Sequence, residues 1–260
     1  MTDKKQIFDE FGKLLDILDE LREKCPWDKK QTFESLRKLT IEETYELADA
    51  IASGSDNEIK NELGDLALHL VFYAKIGSEK GTFTLADVFK AINNKLVFRH
   101  PHVFGDVKVS SATQVESNWE KIKLRENNEY KPVLSGVPSS LPAVIKANRI
   151  QEKVRGVGFD WEDREQIWDK VEEEILELRE EIKNNNNEAI EMEFGDTLFS
   201  IINAARLYGV DPEAALEKTN RKFIKRFNYL EQNTLAKGKS LSDMSLDEMN
   251  IIWEEAKNAE

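Results

Sequence analysis

One acidic pattern occurs twice in this chain at a constant distance, and it limits the folds open to the chain more than any other feature. In the first half, IEETYEL carries Glu43 and Glu46, and NELGDL carries Glu62 and Asp65. In the second half, VEEEILEL carries Glu174 and Glu177, and MEFGDTL carries Glu193 and Asp196. All four offsets (174 − 43, 177 − 46, 193 − 62, 196 − 65) equal 131, as does that between Gly64 and Gly195. One copy alone would carry little weight in so acidic a chain, since four preset positions are all acidic in roughly 1 of 700 trials. The correspondence continues, however. Lys95 and Arg99 return as Lys222 and Arg226, and Trp119 and Lys123 return as Trp253 and Lys257, four apart in every case. Ser111 with Gln114 and Ser245 with Glu248 both have the form of a capping box, each serine eight residues before its tryptophan. Eight positions kept in order, with offsets of 131, 127 and 134, describe a duplicated unit.

The unit is helical. QIFDEFGKLLDILDEL, IEETYELADAI, DVFKAINNKLVF, IWDKVEEEILELREEI, TLFSIINAARLYG and EKTNRKFIKRFNYLEQ repeat apolar residues at steps of three and four. With only 12 glycines and 6 prolines, and little strand-like alternation, the expected class is all-α. The segment 126–144 gathers three prolines and a glycine among polar residues and reads as a linker between halves 1–125 and 145–260. KNNNNE at 183–188 reads as an exposed interhelix loop.

A net charge of −13 argues against nucleic-acid polymers and anionic membranes as partners, yet leaves room for a small anion beside focused lysines or a metal. A lone cysteine, Cys25, allows no internal disulfide and suits a reducing compartment. With no apolar run of membrane-spanning length and no signal-peptide pattern, a cytoplasmic location is expected.

Acids at i and i+3 share a helix face. Two such helices side by side aim four carboxylates at one point, and a cation is the usual relief of their repulsion. All-oxygen ligands favour Mg²⁺ or Mn²⁺, and such sites act on phosphate esters or anhydrides, activating water. Lys222 and Arg226 suit phosphate oxygens, Trp253 a stacked base, and Lys257 the polyphosphate. The glycine between the second pair of acids would allow close helix approach or leave space for metal-bound water.

Together with CPWDKKQTFESLRKLTIEETYELADAI, RHPHVFGD, GVPSSLPAVIKANRIQEKVRGVGFDW and NRKFIKRF, the pattern resembles the MazG nucleoside triphosphate pyrophosphohydrolases, of the all-α NTP pyrophosphatase superfamily, over nearly the whole chain. The resemblance implies two tandem MazG-like domains and a homodimer in which helices from more than one unit complete four-helix bundles. It implies Mg²⁺-dependent cleavage of nucleoside triphosphates (NTP or dNTP) to monophosphate and pyrophosphate, broad in base and serving nucleotide-pool clean-up. A base-specific dUTP or dCTP pyrophosphatase and a non-catalytic nucleotide sensor are the alternatives. In tandem members the second half is the catalytic one. Carried over, metal falls on Glu174, Glu177, Glu193 and Asp196, and water activation on Glu173 or Glu174. Substrate contacts fall on Lys222, Arg226, Trp253 and Lys257. The second set is Glu43, Glu46, Glu62 and Asp65 for metal, with Lys95, Arg99, Trp119 and Lys123 for substrate. One departure is Ala189, four before Glu193, where some relatives carry a basic residue; it bears on a phosphate contact and not on the metal site.

Plainer roles exist for several of these residues. Thr40 and Glu43 form a capping box if a helix begins at Ile41, an explanation closed to Glu174 because Val171 takes the place of the threonine. The tryptophans can anchor terminal helices, and the lysine–arginine pairs can be solvated helix charges. His100 and His102 flank Pro101 in an expected turn without a third ligand, and His69 is expected on a helix face. The Glu-x-x-His pattern of a di-iron bundle is absent, since Leu66 stands three before His69.

Overall fold

The computed structural model describes residues 3–111, 114–115, 118–119, 122, 132–236, 238 and 240–258. Every regular element among them is helical. The chain divides into two compact units, Met1–Lys108 and Val109–Glu260. No helix among the described residues is long and apolar enough to cross a membrane.

In the first unit, α1 (Lys4–Lys24) starts at Asp3, whose carboxylate accepts from the Lys5 amide at 2.9 Å. It stops at Cys25, held extended by the proline that follows. A reciprocal capping box between Thr32 and Ser35 opens α2 (Phe33–Ser53). Gly54, at φ 74°, closes α2 in the left-handed conformation that favours glycine, and Ser55 caps α3 (Asp56–Glu79). A second capping box, Thr84 with Asp87, starts α4 (Leu85–Arg99), and Pro101 opens the single turn α5 (Pro101–Phe104). Leu18, Leu36, Val71, Phe72 and Ile76 form the core, backed by Phe11, Leu14, Phe33 and Leu39. Arg22 of α1 donates to Glu79 at 3.0 Å and lies 5.4 Å from the Phe72 ring, while Lys75 pairs with Asp19 at 2.7 Å. These contacts fasten α1 across α3.

The second unit repeats the hairpin. α7 (Gln166–Asn184) ends on Asn185 at φ 53°, Asn186 caps α8 (Asn187–Leu207), and the expected six-residue loop contracts to these two residues. α6 (Ala143–Arg155) packs on α8, where Gln151 Nε2 donates to the Phe199 carbonyl at 2.8 Å. α9 (Pro212–Ala236) and α10 (Leu246–Asn258) follow, packed on each other. Ile167, Val171, Leu178, Ile202, Leu230 and Ile252 are buried. The capping box expected at Ser245 and Glu248 forms in both directions, at 2.9 and 3.2 Å. At its counterpart the Gln114 amide donates to Ser111 Oγ, but the Gln114 side chain accepts from Ser110.

Two expectations are corrected. Thr40 does not begin a helix: it lies inside α2, its hydroxyl bonded to the Leu36 carbonyl and 2.7 Å from Tyr73 Oη. Capping therefore does not explain Glu43. His69 lies on α3 as expected, on the face that is buried. A Cβ built at Gly64 or Gly195 meets no atom within 4 Å, so neither glycine serves close helix approach within the chain. The segment read as linker also contributes packing. Residues Val133–Gly136 make a 3₁₀ turn, and buried Lys153 donates from Nζ to the Val133 carbonyl at 3.2 Å.

Close approach does fix one other glycine. A Cβ at Gly77 falls 2.7 Å from the Phe83 ring, which stacks on Phe33 at 6.1 Å. Gly77→Ala is expected to push that ring off its partner and cost about 1–2 kcal/mol despite alanine's better helix propensity, read as a lowered Tm.

Candidate metal centre

The hairpin turns set the register of the acids. Glu46 lies eight residues before Gly54 and Glu62 eight after it; Glu43 lies eleven before and Asp65 eleven after. Around Asn185 the same counts hold for Glu177 with Glu193 and for Glu174 with Asp196. Residues equidistant from the turn of an antiparallel helix pair stand opposite one another, so the turn places one pair of acids across from the other.

One acid of each cluster also occupies a core position. Leu36, Glu43 and Ala50 repeat at seven residues along α2, with both flanking members buried. In α7 the buried stripe runs Ile167, Val171, Glu174, Leu178, the spacing of a helix–helix seam. A carboxylate therefore sits where the pattern calls for an apolar side chain, and Glu174 is only 7% exposed.

Ligand atoms of Glu43, Glu62 and Asp65 lie within 4.8 Å of one another, and so do those of Glu174, Glu177 and Glu193. Among the described residues Glu46 and Asp196 stand outside these triads, though both contribute to their electrostatics. Desolvation first, then Asp65, Glu46 and Glu62, hold the Glu43 carboxyl above the usual carboxylate range. Glu62 is raised by desolvation, Glu46 and Asp65, and Glu193 by desolvation, Glu177, Asp196 and Glu174. Glu193 Oε2 is buried with no hydrogen-bond partner. An orphaned carboxylate oxygen within an all-oxygen set is the environment a hard divalent cation satisfies. The residues fit such an ion.

One participant escaped the motif. Lys170 Nζ lies 2.8 Å from Glu174 Oε1 and 3.0 Å from Glu173 Oε1. These two bonds, that to Glu174 foremost, hold its ammonium above the usual lysine range. The available signal was the i, i+4 spacing from Glu174, which the first half does not echo because Leu39 stands at the equivalent position. Glu173, matched to water activation, is exposed and occupied by this lysine.

The remaining candidates lie on other helices. Lys95 and Arg99 are on α4, Lys222 and Arg226 on α9, with each lysine exposed and each arginine half-buried. Trp253 of α10 is half-buried, its ring 5.0 Å from Phe223, which stacks on Phe227. Lys257 is paired with Glu254 at 2.5 Å. Trp119 is partly exposed, and Lys123 lies outside the described residues. His100 Nδ1 lies 2.7 Å from the Leu96 carbonyl, and its ring is 5.6 Å from that of His102. Neither histidine joins an acidic cluster.

The MazG nucleotide pyrophosphohydrolase domain matches the chain twice, over residues 31–104 and 162–230. The chain belongs to the MazG family. The matched segments carry both hairpins with all eight acids, and both lysine–arginine pairs, but neither Trp119 nor Trp253. Membership makes the chain an enzyme of the nucleotide pyrophosphohydrolase class, with two MazG domains in tandem. It is 44% identical over 253 residues, 96% of each chain, to the nucleoside triphosphate pyrophosphohydrolase/pyrophosphatase MazG of Thermotoga maritima. It is 40% identical over 258 residues to the nucleoside triphosphate pyrophosphohydrolase of Escherichia coli strain K12, covering 96% of this chain and 98% of that one. Identity to the uncharacterized protein YabN of Bacillus subtilis is 46% over 266 residues, all of this MazG chain and 54% of that longer one.

Because the folded cluster raises the Glu193 pKa, the metal-free protein loses stability as pH climbs from the ordinary carboxylate value through the raised one. Glu193→Gln removes that charge. The metal-free variant is expected to melt above the parent at neutral pH, with the difference vanishing below about pH 4 where both are neutral. Thermal melts in chelator across that range check the sign.

Proposed function

We propose that the protein hydrolyses nucleoside triphosphates to monophosphate and pyrophosphate with Mg²⁺ held at the acidic hairpins, the second half being the main catalytic unit. The observation that carries this reading is the pair of carboxylate triads set into helix seams, with Glu193 Oε2 left unsatisfied. The names of the full-length relatives supply the substrate class.

In this reading Glu174, Glu177 and Glu193 hold the ion, and Asp196 joins them when substrate is bound. The ion supplies polarisation of the phosphoryl oxygens and a lowered pKa for attacking water. Glu173 and Glu174, adjacent on α7, orient that water and accept its proton. Lys222 and Arg226, one turn apart, take phosphate oxygens, and Trp253 with Phe223 forms an aromatic wall for the base. Pairing to Glu254 leaves Lys257 as a rim residue that must exchange partners to reach a phosphate. The first half carries a triad of its own, Glu43, Glu62 and Asp65, and acts as a second metal site. Broad turnover across bases and a role in cleaning the nucleotide pool of the cytoplasm belong to this reading.

A second copy completes the site. Phe194, Leu198 and Ile201 form an i, i+4, i+7 stripe on α8, 44–60% exposed, next to Leu176 of α7 at 62%. Apolar rows of this kind beside a ligand cluster belong to an interface, and a helix pair covered by its own copy is a four-helix bundle.

Pyrophosphate release is expected from a panel of NTPs and dNTPs with Mg²⁺. Orthophosphate alone would overturn the reading, and turnover of dUTP or dCTP only would replace it with the base-specific one. Glu193→Gln or Asp196→Asn is expected to lower kcat on the order of 100-fold or more with helicity intact, and Glu62→Gln to lower it far less. Sedimentation is expected to show a dimer that Leu198→Glu converts to monomer.

A further inference from the structure

The two triads draw on different members of the repeat, Glu43, Glu62 and Asp65 in one and Glu174, Glu177 and Glu193 in the other, and they differ in their cations as well. In the second, an ammonium already occupies the acceptor oxygens: Lys170 Nζ is 2.8 Å from Oε1 of Glu174 and 3.0 Å from Oε1 of Glu173. In the first, no lysine or arginine lies within 4.0 Å of Glu43, Glu62 or Asp65 among the described residues. The position that would carry one (170 − 131 = 39) is Leu39, turned into the core beside Leu36. Glu174 is the most buried acid of its triad, its side chain 9% exposed against 37% for Lys170. Solvent and salt therefore screen this pair less than an ordinary surface pair. A divalent cation bound to Glu174 Oε1 would sit within a few ångströms of the lysine, two like charges on one acceptor.

We propose that Lys170 is the resident counter-ion of the second triad, so that this half takes up a divalent cation only by exchanging the lysine out, while the first triad has no such competitor among the described residues. The inference rests on the reading of the triads as metal sites. It adds that the lysine regulates loading of the second one. Two consequences follow from the exchange. The second half binds metal more weakly than its carboxylates alone would, and the released ammonium becomes available next to the site at the moment the metal arrives. A lysine that instead merely holds Glu174 in a ligating pose would have the opposite effect on affinity, because its loss would loosen the site.

Mn²⁺ binding to the nucleotide-free protein, read from the free-ion electron paramagnetic resonance signal, separates the two. Glu62→Gln/Asp65→Asn silences the first triad so that the second is observed alone. In that background Lys170→Met, which keeps the apolar stem, is expected to tighten Mn²⁺ binding at least about fivefold, and Lys170→Arg to leave it near the parent value. Lys170→Gln provides a second neutral variant, with circular dichroism confirming helicity for each. Unchanged or weaker Mn²⁺ binding in both neutral variants overturns the counter-ion role while leaving the metal reading intact. No Mn²⁺ bound by the parent protein, with both triads present, or by any variant overturns the metal reading and this inference with it.

Discussion

Concentrated negative charge inside a helix seam is the constraint on which the rest of this structure depends. Each hairpin brings three carboxylates to within 4.8 Å of one another, and one of each three, Glu43 or Glu174, stands in a row whose other members, Leu36 and Ala50 or Val171 and Leu178, are buried apolar side chains. Mutual repulsion and partial desolvation oppose that arrangement, and the raised pKa values of Glu43, Glu62 and Glu193 record the opposition. What holds the acids together is everything around them: long helices, tight turns, and the aromatic and aliphatic packing of α1 and α4 on one hairpin and of α6 and α9 on the other. The scaffold is built to keep open a site that the chain alone would rather relax, a usual signature of ligand binding.

The duplicated hairpins have kept this geometry and changed its chemistry. Where α3 carries buried His69, α8 carries buried Ser200, whose hydroxyl turns back to the Thr197 carbonyl. Where α2 carries Leu39, α7 carries Lys170. Both exchanges lie within a turn of an acid, so the charge balance at the two sites differs although the acids keep their spacing in the sequence. One scaffold with two differently balanced sites allows unequal roles for the halves without loss of either fold.

The fold was legible at the level of helices because periodicity and punctuation agree: capping residues at Thr32, Ser55, Thr84 and Ser245, left-handed residues at Gly54 and Asn185, and few breakers between. The acids were legible because they repeat. Errors arose where a residue's local signal has two outlets. Thr40 and Glu43 have capping-box spacing, but an earlier box at Thr32 starts the helix and leaves Thr40 to bond Tyr73 across the hairpin. His69 was legible as a helix-face residue, and the face it takes is the buried stripe that continues to Phe72 and Ile76. Gly64 and Gly195 suggested close packing but face open space. Lys170 left no mark in the repeat because it belongs to one copy only.

The two turns are built differently, from Gly54 and Ser55 in one hairpin and from Asn185 and Asn186 in the other, yet each contains the same number of residues. Each residue added between the arms would rotate one helix by about 100° and move its acids 1.5 Å along the axis. An insertion of one residue there would point Glu62 and Asp65, or Glu193 and Asp196, away from their partners while leaving both helices intact. The loop is thus free in composition and closed to change in length. It acts as the ruler from which the acidic clusters are measured, although it contributes no atom to them.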